Sequence, residues 1–352
     1  MAPAELEALL SLLLTASGPP RLRRVIEFFG SVQVAWRVLR GKVNATRMAS
    51  LPARLEHAQR VIADQDVQVV TMKDAGYPKR LVHLEADAPY VLFARGRLEL
   101  TERIVLGVVG SRGCTEYGAE SARALTMPAV RAGAVVVSGL ALGIDSVAHQ
   151  AALDAGGETI AVLGCGIDIC YPARNRGLFE RIASDGLLLS EFAPGTPALG
   201  FHFPHRNRII ALLSHALLLV EATPDSGSLI TTKRAQEHMD VLVVPGPLGR
   251  RTSEGCNRAI RDGGIIVLEP EDVLRALHVH AAQARGAPEP VQLDAEARTV
   301  WRALSTEARH VDDVAERARL PVSDVALALL RMELAGQVQQ MPGSRFLLCS
   351  RT

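Results

Sequence analysis

The sequence predicts an α/β protein built on an open, mostly parallel sheet, with a small all-helical domain before it and a winged-helix-like domain after it. Three observations carry this expectation. Between residues 104 and 267, apolar strands of four to six residues alternate with helical patterns, as in successive βα units. Before residue 65 the apolar residues recur only at helical spacing, between turns containing Gly and Pro. After residue 293, three helical patterns precede a hairpin pattern, the order of a winged helix. The expected domains are therefore 1–65, 66–277 and 293–352, with the Ala/Pro/Gly-rich stretch 278–292 as a linker.

Composition narrows the function classes. The chain has 352 residues, 48% of them hydrophobic, enough for two or three domains with a sizeable core. Its net charge is only +1, from 39 basic and 38 acidic residues, so a polyanion ligand has to be argued from local patches. The five cysteines are an odd number without a CxxC pair, which fits a reducing compartment. No His/Cys/Asp group has metal-ligand spacing, and no metal is expected. Glu5 and Glu7 precede the first apolar run, no signal-peptide pattern follows, and no stretch is long enough to span a bilayer. A cytoplasmic, soluble protein is the expectation.

In chain order, residues 5–14 read as a first helix, broken at Ser17-Gly18-Pro19-Pro20. Apolar residues at 22, 25, 26 and 29 make a second helix, ended by Gly30-Ser31; a third runs over 32–39 and a fourth over 55–63. Between 17 and 60 there are nine Lys/Arg against two Glu, a local basic surface that is either solvated or a nucleic-acid face. Residues 67–71 and 89–93 read as strands at the edge of the main sheet or in a linker packed on it.

The core strands end in unusual residues. The first, 104–109, runs into Gly110-Ser111-Arg112-Gly113. Glycines 107, 110 and 113 do not make GxGxxG, and no acidic residue stands about twenty positions on, so no dinucleotide cofactor is expected; GxxxxGK[ST] is absent too. What remains is a tight turn presenting a hydroxyl, a guanidinium and helix-start amides, a set that suits phosphate oxygens. After the second strand, Gly139 and Gly143 permit close approach of a ligand. Asp145 reads as a capping carboxylate with His149 on the surface, or else as a partner of that histidine. Arg174 stands near the start of a later helix. The densest cluster is Phe201-His202-Phe203-Pro204-His205-Arg206-Asn207-Arg208, with a helix beginning at Asn207. Flat side chains beside cations suit single strands. Asp225-Ser226-Gly227-Ser228 caps another helix, which carries Lys233. No serine sits in GxSxG, but Glu191 and Glu221 end separate strands, where two facing carboxylates act as an acid/base pair. From 293 to 352 eight acidic residues balance eight basic ones, which favours a protein-contact module over a duplex reader.

Gly110-Ser111-Arg112, the run Ser138 to Asp145, Gly164-Cys165-Gly166, Tyr171-Pro172, Phe203-Pro204-His205-Arg206-Asn207-Arg208, Ser226-Gly227-Ser228-Leu229-Ile230-Thr231, Pro245-Gly246 and Gly255-Cys256-Asn257 follow in one order. That series resembles the bacterial DNA-processing protein A (DprA/Smf) family over roughly residues 75–275. The resemblance implies an extended Rossmann-like, doubly wound sheet without a nucleotide cofactor. It implies single-stranded DNA as ligand, loading of the RecA recombinase in natural transformation, and a homodimer formed through the Rossmann-like domain. It carries DNA contacts onto Arg112, Arg174, Arg206 and Arg208, with Lys233 as a further candidate; Ser111, Gly139, Phe203 and Asn207 join them on the residue reading above. Glu237-His238-Met239-Asp240 departs from the family's more common Gly-Arg pair and removes one arginine from that corner. The expected mechanism is binding without catalysis: arginines neutralise phosphates, helix-start amides satisfy the remaining oxygens, and an aromatic stacks on a base. The alternative is a nucleoside-monophosphate glycosidic-bond hydrolase using the same crevice, with Glu191 or Glu221 at the ribose.

Overall fold

The computed structural model of the chain describes residues 2–16, 19–83, 88–277, 295–304, 309–334, 338–341 and 344–348. The expected linker 278–292 and Cys349 lie outside the described residues. The chain forms two compact units, Met1–Ala284 and Arg285–Thr352.

The first unit opens with helices α1 (Pro3–Ser11), α2 (Pro19–Phe29), α3 (Val32–Leu39) and α4 (Ala45–Asp64). Ser31 and Asn44 cap α3 and α4, their side chains accepting from the amides of Val34 (3.2 Å) and Arg47 (2.8 Å). The fourth helix is thus ten residues longer at its start than the apolar periodicity alone predicts, and Pro52 lies inside it. The cap at Asn44 and tertiary packing outweigh the proline. Two members of the basic stretch turn inward. Arg47 and Arg54 donate to the carbonyls of Thr15 (3.0 Å) and Leu14 (2.7 Å), closing the end of the first helical segment.

The large sheet comprises β1 (Gln68–Thr71), β2 (Val91–Gly96), β3 (Val105–Gly110), β4 (Val135–Ser138), β5 (Thr159–Leu163), β6 (Leu187–Ser190), β7 (Ala216–Val220), β8 (Asp240–Val243) and β9 (Ile265–Ile266). Their order is β1-β2-β6-β5-β4-β3-β7-β8-β9. The seven strands from β6 to β9 in that order run parallel; β2 joins β6 antiparallel and β1 joins β2 antiparallel, an edge extension. Short helix α5 (Lys79–His83) lies between β1 and β2. The connecting helices are α6 (Glu116–Arg131), α7 (Ile144–Asp154), α8 (Arg176–Asp185), α9 (His202–Leu213), α10 (Gly227–Ala235) and α11 (Arg251–Arg261), followed by α12 (Pro270–Ala276).

Both faces of the sheet are covered, which explains why its strands are apolar throughout rather than alternating. Val105, Val109, Leu217 and Leu219 face a core closed by Ile209, Leu213 and Cys256. Leu106, Val108, Leu218 and Val220 face the opposite core, closed by Ala122, Ala129, Ile144 and Val273. A third cluster joins Leu9, Leu22 and Ala58 of the N-terminal helices to Phe93, Leu163, Leu188 and Ile182, so those helices pack on the β2–β6–β5 side.

His149 on α7 is fully buried, against the surface position expected for it, with Nδ1 2.7 Å from Thr159 Oγ1. Burial, with Arg206 nearby, pushes its pKa down to about 3. A histidine held below its ordinary value near 6.5 takes up its proton more readily in the unfolded chain. Its contribution is therefore complete above pH 6.5 and is lost as pH falls toward the folded value. Between pH 8 and 5 the wild type should lose about 2 kcal/mol more than His149→Gln. Urea midpoints at both pH values measure this; equal losses in the two proteins would refute it.

The second unit contains α13 (Ala295–Ala303), β10 (Arg309–His310), α14 (Val311–Ala318), α15 (Val322–Leu334), β11 (Val338–Met341) and β12 (Arg345–Leu348). Its sheet order, β10-β12-β11, adds a third strand to the hairpin read from sequence. At two residues that strand is too short to show a period. Val300, Val314, Leu329 and Phe346 form its core.

Candidate nucleic-acid interface

Strand order reverses between β3 and β7. In an open parallel sheet this opens a crevice at the carboxyl ends of the two strands. The crevice here has a volume of about 420 Å³. One wall is the turn Gly110 to Gly113, the floor is formed by Asp145, Arg206 and Asn207, and the far wall is Thr223 with Ser226 to Ser228 at the start of α10. A side recess of about 90 Å³ adjoins it, lined by Arg112, Gly139, Leu142, Tyr171 and Phe203.

Each wall has a local cause. The carboxylate of Asp145 accepts from the amides of Gly139 (3.1 Å) and Ala141 (3.3 Å), so it caps its own preceding loop and does not pair with His149. Asn175 holds the same loop from the other side, donating to the carbonyl of Leu140 (2.9 Å) and to Ser146 Oγ (2.9 Å). These bonds hold Leu140 at φ 56°, a left-handed conformation that a branched residue avoids unless its surroundings impose it. Gly139 is wedged between Arg206 and Asp145, where a Cβ would collide with both side chains. Gly143, at φ 76°, lets its loop lie directly on the backbone of Ser111 and Arg112, and Ile144 donates to the Ser111 carbonyl at 3.1 Å.

Arg206 is almost wholly buried. It donates to the carbonyls of Gly139 (2.7 Å) and Val162, and to Asn207 Oδ1 (3.1 Å). Burial lowers its pKa to about 10, with Asp145 opposing the shift, so it stays cationic at neutral pH. Burial raises the Asp145 pKa, and Arg206 counters that. Two guanidinium groups lie near the Phe203 ring, that of Arg112 at 5.2 Å and that of Arg206 at 5.9 Å from its centroid. Tyr171 tilts against it at 5.5 Å. The result is a flat aromatic platform, a fixed positive floor and an accessible arginine at one opening.

A model of the family described as DNA recombination-mediator protein A matches residues 68–278. The chain belongs to this DprA/Smf family. A model described as the DprA winged helix domain matches residues 271–344. Protein Smf of Escherichia coli (strain K12) is 40% identical over 276 residues, covering 76% of this chain and 74% of that protein. The X-ray structure of DNA processing protein A from Streptococcus pneumoniae superposes with a TM-score of 0.65 at 36% identity, over 78% of this chain and 98% of that one. The protein of the same name from Helicobacter pylori, described for its single-stranded DNA binding mode, superposes with a TM-score of 0.54 at 29% identity, over 60% and 96%.

In this DprA/Smf member the crevice and its recess bring together Ser111, Arg112, Gly139, Phe203, Arg206 and Asn207. Three residues named with them lie elsewhere. Arg174 is exposed in a short turn before α8, and Lys233 is exposed on α10; neither lines the crevice. Arg208 points into the protein and pairs with Glu191 at 2.5 Å, both buried. The cause is helical register. The helix begins at His202, not at the Asn207 expected from sequence, so nearly all of the cluster lies inside α9, where residues two apart face different ways.

Glu191 and Glu221 do not face each other, because β5, β4 and β3 separate their strands. Burial raises the pKa of Glu191, with Arg208 opposing. Glu221 instead accepts from Thr115, at 2.7 Å from the amide and 2.6 Å from the hydroxyl, tying the end of β7 to the start of α6. Among the described residues no group of three or more His, Cys, Asp or Glu is placed to hold a metal. Sequence reading took Ser226 to Ser228 as part of a helix cap, passed over Thr223, and missed both as a wall. Only the adjacency of β7 to β3 reveals it, since that pairing joins segments about 110 residues apart.

Proposed function

We propose that this chain binds single-stranded DNA in the β3–β7 crevice and mediates loading of the RecA recombinase onto that strand in natural transformation and recombination. The observation that carries the reading is the Arg112–Phe203–Tyr171 platform beside the amide-rich turns. An unstacked base offers its flat face to such a ring, while its phosphate meets the arginine and the helix-start amides. A duplex keeps its bases stacked inside and offers the ring nothing. The single-stranded DNA binding mode described for the H. pylori relative supports the ligand, and the family's description as a recombination mediator supports the step that follows.

The chain acts as a homodimer in this reading, in the cytoplasm, where RecA and its substrate meet. Support for the dimer comes from the β9 edge of the sheet. Ile265 and Ile266 are each 44% exposed and Leu268 is 75% exposed, an apolar strip along an unpaired strand edge. Among the described residues no helix is long and apolar enough to cross a membrane.

Fluorescence anisotropy with a labelled oligothymidylate, the corresponding duplex and a nucleoside monophosphate as competitor tests the ligand. Preference for the single strand, undisturbed by excess monophosphate, is expected. Displacement by monophosphate with release of free base would replace this reading with the hydrolase. Acceleration of RecA filament growth on a strand already coated by single-stranded-DNA-binding protein tests the second step. Light scattering tests the dimer.

A further inference from the structure

A second arginine cluster lies on the same unit, away from Arg112. Arg251, Glu254, Arg258 and Arg261 follow one another at helical spacing on α11 and share a face. With Arg250 and Leu248 they line a groove of about 550 Å³. The opposite face of α11, through Ser253, Cys256 and Ala259, makes the contacts that hold the helix on the sheet. The fold therefore has no need of the arginines. The other wall is the segment from Pro247 to Gly249, oriented by Asn257, whose side-chain amide exchanges hydrogen bonds with the backbone of Gly246 (3.2 and 3.0 Å).

We infer that this groove is the second half of the DNA path and holds the phosphates of the single strand as it leaves the crevice. The inference rests on the proposed function and extends it. Continuity comes first: Pro224 lines the groove, while Thr223 beside it and Ser226 two residues on line the crevice, so the two share one rim. Charge comes second, since four arginines and a single carboxylate line the groove. Three of the four arginines are held in place by exposed partners: Arg251 with Asp225 (3.1 Å), Arg258 with Glu254 (2.6 Å) and Arg261 with Asp262 (3.5 Å). Exposed ion pairs of this kind are worth little and are readily exchanged for phosphate, which an arginine fork grips with two hydrogen bonds. Leu248, 92% exposed at the lip, gives a sugar or base an apolar surface. From Arg251 to Arg261 the helix rises about 15 Å, room for a few nucleotides.

The test compares full-length wild type, Arg251→Ala/Arg258→Ala/Arg261→Ala and Arg112→Ala. Each is titrated with oligothymidylates of about six and about thirty nucleotides, one near the lower end of the site sizes of single-strand grooves and one well beyond their upper end. Wild type should bind the long strand more tightly than the short one. In the triple variant that gain should fall at least about tenfold, with the salt dependence on the long strand flattened by about two units, at roughly 0.7 per phosphate contact. Its affinity for the short strand should change less than about twofold, because the crevice is intact. Arg112→Ala should weaken both lengths.

A triple variant that binds the long strand like wild type overturns the groove and leaves the crevice standing. Failure of wild type to bind either length removes the crevice reading itself. Loss confined to duplex binding assigns the groove to another ligand and also refutes the inference. Phenylglyoxal labelling of the wild type supplies a readout that no misfolded variant can spoil. The long strand, and not the short one, should protect Arg251, Arg258 and Arg261; equal labelling with and without it overturns the proposal.

Discussion

Arg208→Met is expected to destabilise the α/β unit by about 3–5 kcal/mol, the largest effect of any single change considered at this site. The wild-type pair is buried on both sides, with side chains 7% and 1% exposed and a charge-assisted bond of 2.5 Å. One oxygen of Glu191 and one nitrogen of Arg208 already lack a hydrogen-bond partner. Removing the cation leaves a carboxylate in a medium that cannot solvate it. Glu191 must then take up a proton or draw in water, and either weakens the seam between β6 and α9. Converting both partners, in Arg208→Met/Glu191→Leu, should recover most of the loss, because the desolvation penalty of each ion disappears with the ion. Urea denaturation of the three proteins decides the matter. If Arg208→Met keeps wild-type stability and only weakens DNA binding, Arg208 is a phosphate contact and not a support of the fold. Recovery in the double variant, with binding restored alongside stability, would establish that Arg208 serves the crevice only by holding α9.

Arg112→Ala and Phe203→Ala are expected to weaken single-stranded DNA binding in different ways. Arg112 stands at the accessible side of the crevice with its guanidinium over the Phe203 ring. Its loss removes a hydrogen-bonded ion contact worth about 1.5–3 kcal/mol, roughly a tenfold to hundredfold fall in affinity. One neutralised phosphate disappears with it, so the slope of log K against log salt should flatten by about 0.7–1. Phe203→Ala removes the stacking surface and should cost about 1–3 kcal/mol at unchanged slope. Anisotropy at three salt concentrations separates the two signatures. Equal slopes for wild type and Arg112→Ala would show that this arginine does not meet a phosphate. A Phe203→Ala protein that binds like wild type would remove the stacking step.

The alternation of apolar strands and helical stretches was sufficient to recognise the parallel sheet, because strands covered on both faces are largely apolar, with hydroxyl residues such as Ser138, Thr159 and Ser190 at their ends bonded to backbone carbonyls. The turn Gly110 to Gly113 and the aromatic–arginine cluster were legible for a related reason. Polar and flat residues concentrated at the ends of such strands stand out from the apolar pattern, and most of those in the turn and the cluster line the crevice, while Arg208 and Glu221 hold the fold instead. Sequence also revealed the winged helix through the order of its elements, although its shortest strand, Arg309–His310, has too few residues to show a period.

What sequence could not decide is which way a side chain points. Arg206 and Arg208 sit two residues apart in one motif and look equivalent there. Starting α9 at His202 rotates one under the crevice, where backbone carbonyls hold it, and the other into a buried pair with Glu191. Asp145 and His149, one turn apart, look like partners, yet each is claimed by a different neighbour, the 139–141 backbone and Thr159. Glu191 and Glu221 look like an acid/base pair, and three strands lie between them. Local pattern was enough for the fold class, the family and the loop that carries Arg112. The far wall at Ser226 to Ser228, the burial of Arg206 and the inward turn of Arg208 were decided only by tertiary structure. They depend on strand order and helix rotation, set by the burial of apolar surface across the whole unit and not by any local pattern.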